Sequence, residues 1–165
     1  MSKSALICHM EKVAVVTGAS KGLGKAVALS LANEGYKVVV HFKDSVRDAE
    51  LVVSEINKVS EGFAASADLT SEKEVEEMFD KILGKFRRVD ILVNNVGNFL
   101  YKKFGDTTNG EFRDVMESNI YSTLFCSRFA LKLMRKQKSG HIVNIGAVGA
   151  ERFTFRENSV PYFFD

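Results

Sequence analysis

The sequence predicts an α/β fold built on a doubly wound parallel sheet of five strands. Three observations carry this. Short runs that are apolar at nearly every position recur along the chain, longer amphipathic stretches separate them, and a glycine-rich run, TGASKGLG at 17–24, joins the first of each kind. A strand without polar alternation is covered on both faces, and helices packed on both sides of a parallel sheet provide that cover.

Residues 12–17 (KVAVVT) read as the first buried strand, and 22–33 as a helix that Gly35 ends. Residues 37–42 (KVVVHF) form the next β-branched run. A helix over 45–59 follows, opened by Ser45 with Asp48 three residues later in a capping-box pattern. Residues 63–67 make a weaker strand, and 71–86 a helix with Ser71 and Glu74 as its box. Residues 89–94 (VDILVN) and 141–145 (HIVNI) are the last two strands. Between them lies a helix over 111–136, entered through Thr108 and Glu111 as a third box. At ~1.5 Å per residue it would span roughly 39 Å. Its apolar residues, among them Phe112, Val115, Met116, Ile120, Leu124, Phe125, Phe129, Leu131 and Leu133, cover more than one face. We expect it to be buried on two sides, by the sheet and by a partner subunit, so that the chain forms a homo-oligomer. Five strands joined by four crossovers give the order 3-2-1-4-5 of a Rossmann-type sheet. Residues 12–165 then form one domain behind an extension of residues 1–11.

Composition narrows the function classes. A hydrophobic content of 45% and a charged content of 27% describe a globular domain, and a net charge of +2 is too small to argue for nucleic-acid or membrane binding. Cys8 and Cys126 are far apart and have no metal-ligand spacing, so no metal site is expected; they read as free thiols of a reducing compartment. The apolar patch from Ala5 to Cys8 is shorter than the roughly 7–15 residues of a signal peptide or the roughly 20 of a membrane span. We therefore expect a cytoplasmic protein.

The glycine loop carries the chemistry. It follows a strand, precedes a helix and opens a β-α-β unit, the setting in which backbone N–H groups and a helix N-terminus receive a pyrophosphate. A ribose-binding acid would stand about 20 residues on, at the end of the second strand. Phe42 and Lys43 occupy that place, with Asp44 two positions late. Neither Phe42 nor Lys43 accepts a hydrogen bond from a ribose hydroxyl, whereas Lys43 and Lys21 attract a 2′-phosphate. This favours NADP over NAD.

Taken together, TGASKGLG at 17–24, ADLT at 67–70, NNVG at 94–97, ESNIYSTLFCSR at 117–128 and SGHIVNIG at 139–146 resemble the motifs of the short-chain dehydrogenase/reductase family, in order and spacing. The likeness is greatest to its 3-oxoacyl-carrier-protein reductase branch. The resemblance implies a carbonyl/alcohol hydride-transfer enzyme acting on a small-molecule or acyl-carrier substrate. It implies cofactor contacts from Gly18, Ser20, Lys21, Gly22, Leu23 and Gly24, from Lys43, from Asp68 and Leu69, and from Asn95, Val96 and Gly97. Gly97 also follows a strand at its carboxyl end, where doubly wound sheets bind ligands, and the Asn95 amide suits bracing of nearby backbone. Asn119, a poor helix former in an apolar helix, reads either as a satisfied structural amide or, through the resemblance, as an active-site group.

The family mechanism, as the resemblance implies it, uses a tyrosine to protonate the carbonyl, a lysine four residues later, a serine and the asparagine. Tyr162, preceded by Pro161, takes the tyrosine's place, but Ala147 stands at the serine position and the lysine position falls beyond Asp165. Lowering a tyrosine pKa from ~10 to ~7 requires about 4 kcal/mol, and the nearby Asp165 and terminal carboxylate act in the opposite sense. We further expect the chain to lack the family's last two strands, which would leave the fifth strand as an edge and apolar helix surface uncovered. The sequence thus favours a shortened reductase with a recognisable nucleotide-binding half and little or no catalysis. A partner chain supplying the missing groups and a non-enzymatic NAD(P)-binding module are the alternatives.

Overall fold

The valines of VAVV show how the sheet is covered. In the computed structural model, which describes residues 12–146, β1 (Val13–Val16) is buried at every position. Val13 and Val15 project into one core layer with Val75, Met78, Phe79 and Ile82, while Val16 projects into the other with Ala28, Ala32, Val52 and Ile56. Side chains alternate across a strand, so a strand apolar at every position supplies two cores at once.

The first layer is made by α3 (Glu72–Phe86) and α5 (Ser122–Gln137), whose Phe79 and Phe129 rings stack at 5.8 Å. The second is made by α1 (Gly22–Asn33) and α2 (Val46–Ile56). With β2 (Lys37–Phe42), β3 (Gly62–Ser66), β4 (Ile91–Asn94) and β5 (His141–Asn144), the five parallel strands run in the order β3-β2-β1-β4-β5. This is the predicted order, and it places the chain's reversal between β1 and β4, where a doubly wound sheet opens a crevice. Among the described residues β5 is an edge strand, on which Val143 is 44% exposed. No helix among the described residues is long and apolar enough to cross a membrane.

Two of the three expected capping boxes depart from expectation. Ser45 makes no capping hydrogen bond, because its backbone (φ −85°, ψ 60°) lies outside the extended region in which the Ser71 and Thr108 caps stand. At α3 the Ser71 hydroxyl accepts from Glu74 N, but the Glu74 carboxylate turns away to accept from Asp68 N at 2.8 Å. The capping box closes fully only at Thr108 and Glu111.

The helix expected over 111–136 is divided. Asn109–Met116 is α4, Glu117–Tyr121 is a π-helical turn, and α5 follows. Within the turn Ser122 N reaches back to Glu117 O, and the Ser122 hydroxyl supplies the Ser118 carbonyl. Polar side chains thus satisfy a backbone that the wider turn takes out of the ordinary ladder.

Candidate functional site

At the end of β1 the chain must turn sharply into α1, and the glycines fix how closely it does so. Gly18 has φ +61°, and a Cβ there would lie 3.0 Å from Val96 Cγ2. At Gly24 a Cβ would lie 2.4 Å from Gly18 O and 2.6 Å from Asn95 Nδ2, so α1 starts directly against the loop only without a side chain.

The loop is then tied to its neighbours by polar bonds. The Thr17 hydroxyl accepts from Asn95 N at 2.8 Å and Val96 N at 3.2 Å, and donates to Val93 O at 3.3 Å. Asn95 Nδ2 donates to Thr17 O at 3.0 Å and to Gly18 O at 3.3 Å. The Asn95 side-chain amide thus bridges two successive carbonyls at the start of the loop. On the other flank Gly18 N donates to His41 Nδ1 at 3.0 Å.

Above these strand ends opens a cleft of about 440 Å³. Of the predicted residues, Gly18, Ser20, Lys21, Lys43, Asp68, Leu69 and Val96 line it. Leu69 is only 4% exposed and doubles as a core residue. Gly24 and Asn95 support the loop, while Gly22, Leu23 and Gly97 are exposed to solvent. Lys21 precedes the first turn of α1 and provides no side-chain cap, so the helix's leading N–H groups receive none from it.

Lys43 and Asp68 form an ion pair at 2.6 Å. The Lys43 ammonium, with Thr70 N and the Thr70 hydroxyl also donating to Asp68 Oδ1, brings the Asp68 carboxyl down to about 2 against the opposing effect of burial. Asp68 in turn raises the Lys43 pKa. The acid and the base read separately in the sequence thus form one unit.

Asn119 lies in the π-helical turn. Its Nδ2 donates to Asn98 O at 3.0 Å and to Val115 O at 2.9 Å, so the amide holds the segment after β4 against the helix. Tyr162 and Ala147 lie outside the described residues.

Sequence reasoning passed over several residues of the cleft. Asp114, Glu117, Ser118 and Ser122 line its helical side, and Thr17 and His41 hold its floor. His41 carried a readable signal: a polar side chain in KVVVHF, a run otherwise buried after Lys37, needs partners for its ring nitrogens.

The model of the short chain dehydrogenase family matches residues 12–159, and the chain belongs to that family of oxidoreductase enzymes. It is 39% identical over 145 residues to the 3-oxoacyl-(acyl-carrier-protein) reductase FabG of Staphylococcus epidermidis, an alignment covering 85% of this chain and 59% of that protein. The 3-oxoacyl-(acyl-carrier-protein) reductase of Synechocystis sp. is 41% identical over 138 residues, covering 83% of this chain and 56% of the relative. Among solved structures, acetoin dehydrogenase from Enterobacter cloacae superposes with a TM-score of 0.87 at 28% identity, over 94% of this chain and 62% of that one. The chain thus spans about three fifths of the length of the relatives it matches.

Proposed function

We propose that the cleft binds NADP and that the chain is the nucleotide-binding portion of a carbonyl/alcohol oxidoreductase acting on a small-molecule or acyl-carrier substrate in the cytoplasm. One observation supports this above the others: the glycine loop, braced by Asn95, opens into a cleft that also presents Lys21 and Lys43. The residues present fit a dinucleotide. The uncapped start of α1, Ser20 and Lys21 suit the pyrophosphate, and Lys43 suits a 2′-phosphate. NAD is the less favoured cofactor, since no carboxylate ends β2. The names of the reductase relatives support an acyl-carrier substrate.

When bound, the dinucleotide would exchange hydride with a carbonyl carbon. In this reading Asp68, Leu69, Val96 and Gly97 line its path, Asn119 holds the helix beside the reaction, and Tyr162 gives a proton to the carbonyl oxygen. Ala147 offers no hydroxyl to that oxygen, so turnover is slow. That same alanine favours a second reading, a binding module that takes up NADP without chemistry.

Fluorescence titration with NADPH and NADH tests the cofactor assignment. Saturable NADPH binding that is tighter than NADH binding is expected, and no saturation at millimolar concentration of either would sink it. Reduction of a 3-oxoacyl thioester then separates the two readings. A rise in turnover in Ala147→Ser marks an enzyme, and none in either protein marks a binding module.

A further inference from the structure

His41 is 2% exposed, and both of its ring nitrogens are engaged by main chain. Nδ1 accepts from Gly18 N at 3.0 Å, and Nε2 stands 3.0 Å from Ala67 O. A backbone N–H only donates and a carbonyl only accepts. Both bonds therefore form together in a single state, the neutral ring with its proton on Nε2. The other tautomer turns an N–H toward the Gly18 N–H and a lone pair toward Ala67 O. The imidazolium keeps the bond to Ala67 but sets two donors head to head at Gly18.

The two points that His41 joins belong to different parts of the cleft. Gly18 is in the glycine loop after β1, and Ala67 opens the 67–70 segment that carries Asp68. Main-chain bonds run beside the ring, from Ala19 N to His41 O at 2.9 Å and from Ala67 N to Phe42 O at 3.1 Å.

We infer that His41 is a positioning residue, a latch whose neutral ring holds the glycine loop in place relative to the 67–70 segment and whose protonation releases it, so that dinucleotide affinity falls in acid. The affinity arm rests on the cofactor reading above; the latch itself does not. Burial first of all lowers the ring's pKa below 6.5, while the bond to Ala67 O and the Asp68 charge act in the opposite sense. Asp68 is paired with Lys43, and the other charged groups lining the cleft are Lys21, Asp114 and Glu117. With the folded pKa below 6.5, the latch is closed at neutral pH and opens as pH falls through the folded value.

Long-range proton–nitrogen NMR on the full chain reads the tautomer, and a coupling across the Gly18 N–H to His41 Nδ1 bond reads the latch, both without cofactor. His41→Asn keeps an acceptor at the δ position and abolishes the titration, whereas His41→Leu removes both. NADP⁺ affinity of the unmodified chain should drop about tenfold between pH 7.5 and the pH at which NMR shows the His41 ring protonated, the weight of one buried hydrogen bond. His41→Asn should show only the shallower dependence of the cofactor's own phosphate, and His41→Leu should already be about tenfold weaker at pH 7.5.

A proton on Nδ1, or identical pH profiles for the unmodified chain and His41→Asn, overturns the inference. If none of the proteins binds NADP⁺ at any pH, the cofactor reading fails and the latch is judged separately. It then stands only if the protection of the Gly18 amide, taken relative to the intrinsic exchange rate at each pH, falls on acidification in the unmodified chain and not in His41→Asn. Should His41→Leu fail to fold, the tautomer and the His41→Asn comparison decide.

Discussion

Lys43 Nζ lies 2.6 Å from Asp68 Oδ2, so the cation that follows β2 is held by the acid that follows β3. The pair fixes where a positive charge stands at the mouth of the cleft. Its own contribution to stability is small, because the lysine side chain is 59% exposed and solvent screens it.

Replacing this cation should therefore change selectivity rather than fold. Lys43→Ala is expected to weaken NADPH binding by about tenfold and to leave NADH binding within about twofold, with a melting temperature close to that of the unmodified chain. Paired titrations of the two cofactors check it, and an equal loss for both would count against a 2′-phosphate contact. The charge state of the pair should also be flat with pH where His41 is not, so that the selectivity follows only the cofactor's own phosphate. Asp68 is depressed from 3.8 to about 2, so the pair is intact above 3.8 and is lost only as pH falls through about 2. Lys43, raised above 10.5, keeps its charge well into alkali.

Thr17 is the node between the glycine loop and the segment after β4. Thr17→Val keeps the shape and leaves Asn95 N and Val96 N without their acceptor. A loss of about 1–3 kcal/mol is expected in urea denaturation, and Thr17→Ser, which restores the hydroxyl, should recover most of it. A valine variant as stable as the parent would show that the loop does not depend on this hydroxyl.

Asn119 joins the helix to the chain at Asn98. Asn119→Ala should cost about 1 kcal/mol in stability and speed amide exchange after β4, with little change around Lys43 and Asp68. Hydrogen-exchange mass spectrometry reads both regions, and uniform acceleration would argue against a local tether.

Lys138 ends α5 in the left-handed region at φ 58°, a conformation that costs a side chain about 1 kcal/mol. Lys138→Gly should therefore raise stability by about 0.5–1 kcal/mol, seen as a higher urea midpoint with unchanged slope. A lower midpoint would mean that the lysine makes a compensating contact.

What the sequence displayed, and what it hid, follows from the range of the forces involved. VAVV and KVVVHF announce themselves because burial on both faces leaves them apolar at nearly every position. The glycine loop is legible because Gly24 must admit the Gly18 carbonyl and the Asn95 amide. The pairing of Lys43 with Asp68 is not, since a contact across 25 positions leaves no local pattern. Ser45 misled because a capping motif needs backbone angles that the letters do not encode. His41 was passed over because its partners are main-chain groups, Gly18 N and Ala67 O, that any residue type could have supplied.

The π-helical turn has a consequence for how the chain tolerates change in length. An extra residue in one turn advances everything after it by about 100° around the helix axis. Asn109–Met116 and Ser122–Gln137 are therefore two segments of one rod that are out of phase, which is why no single stripe describes the apolar residues from Phe112 to Leu133. Losing one residue within 117–121 could be absorbed as ordinary helix, leaving the α5 packing in place while moving the Asn119 amide away from Asn98. Losing one residue from α5 itself would instead rotate Cys126, Ala130 and Met134 out of the core.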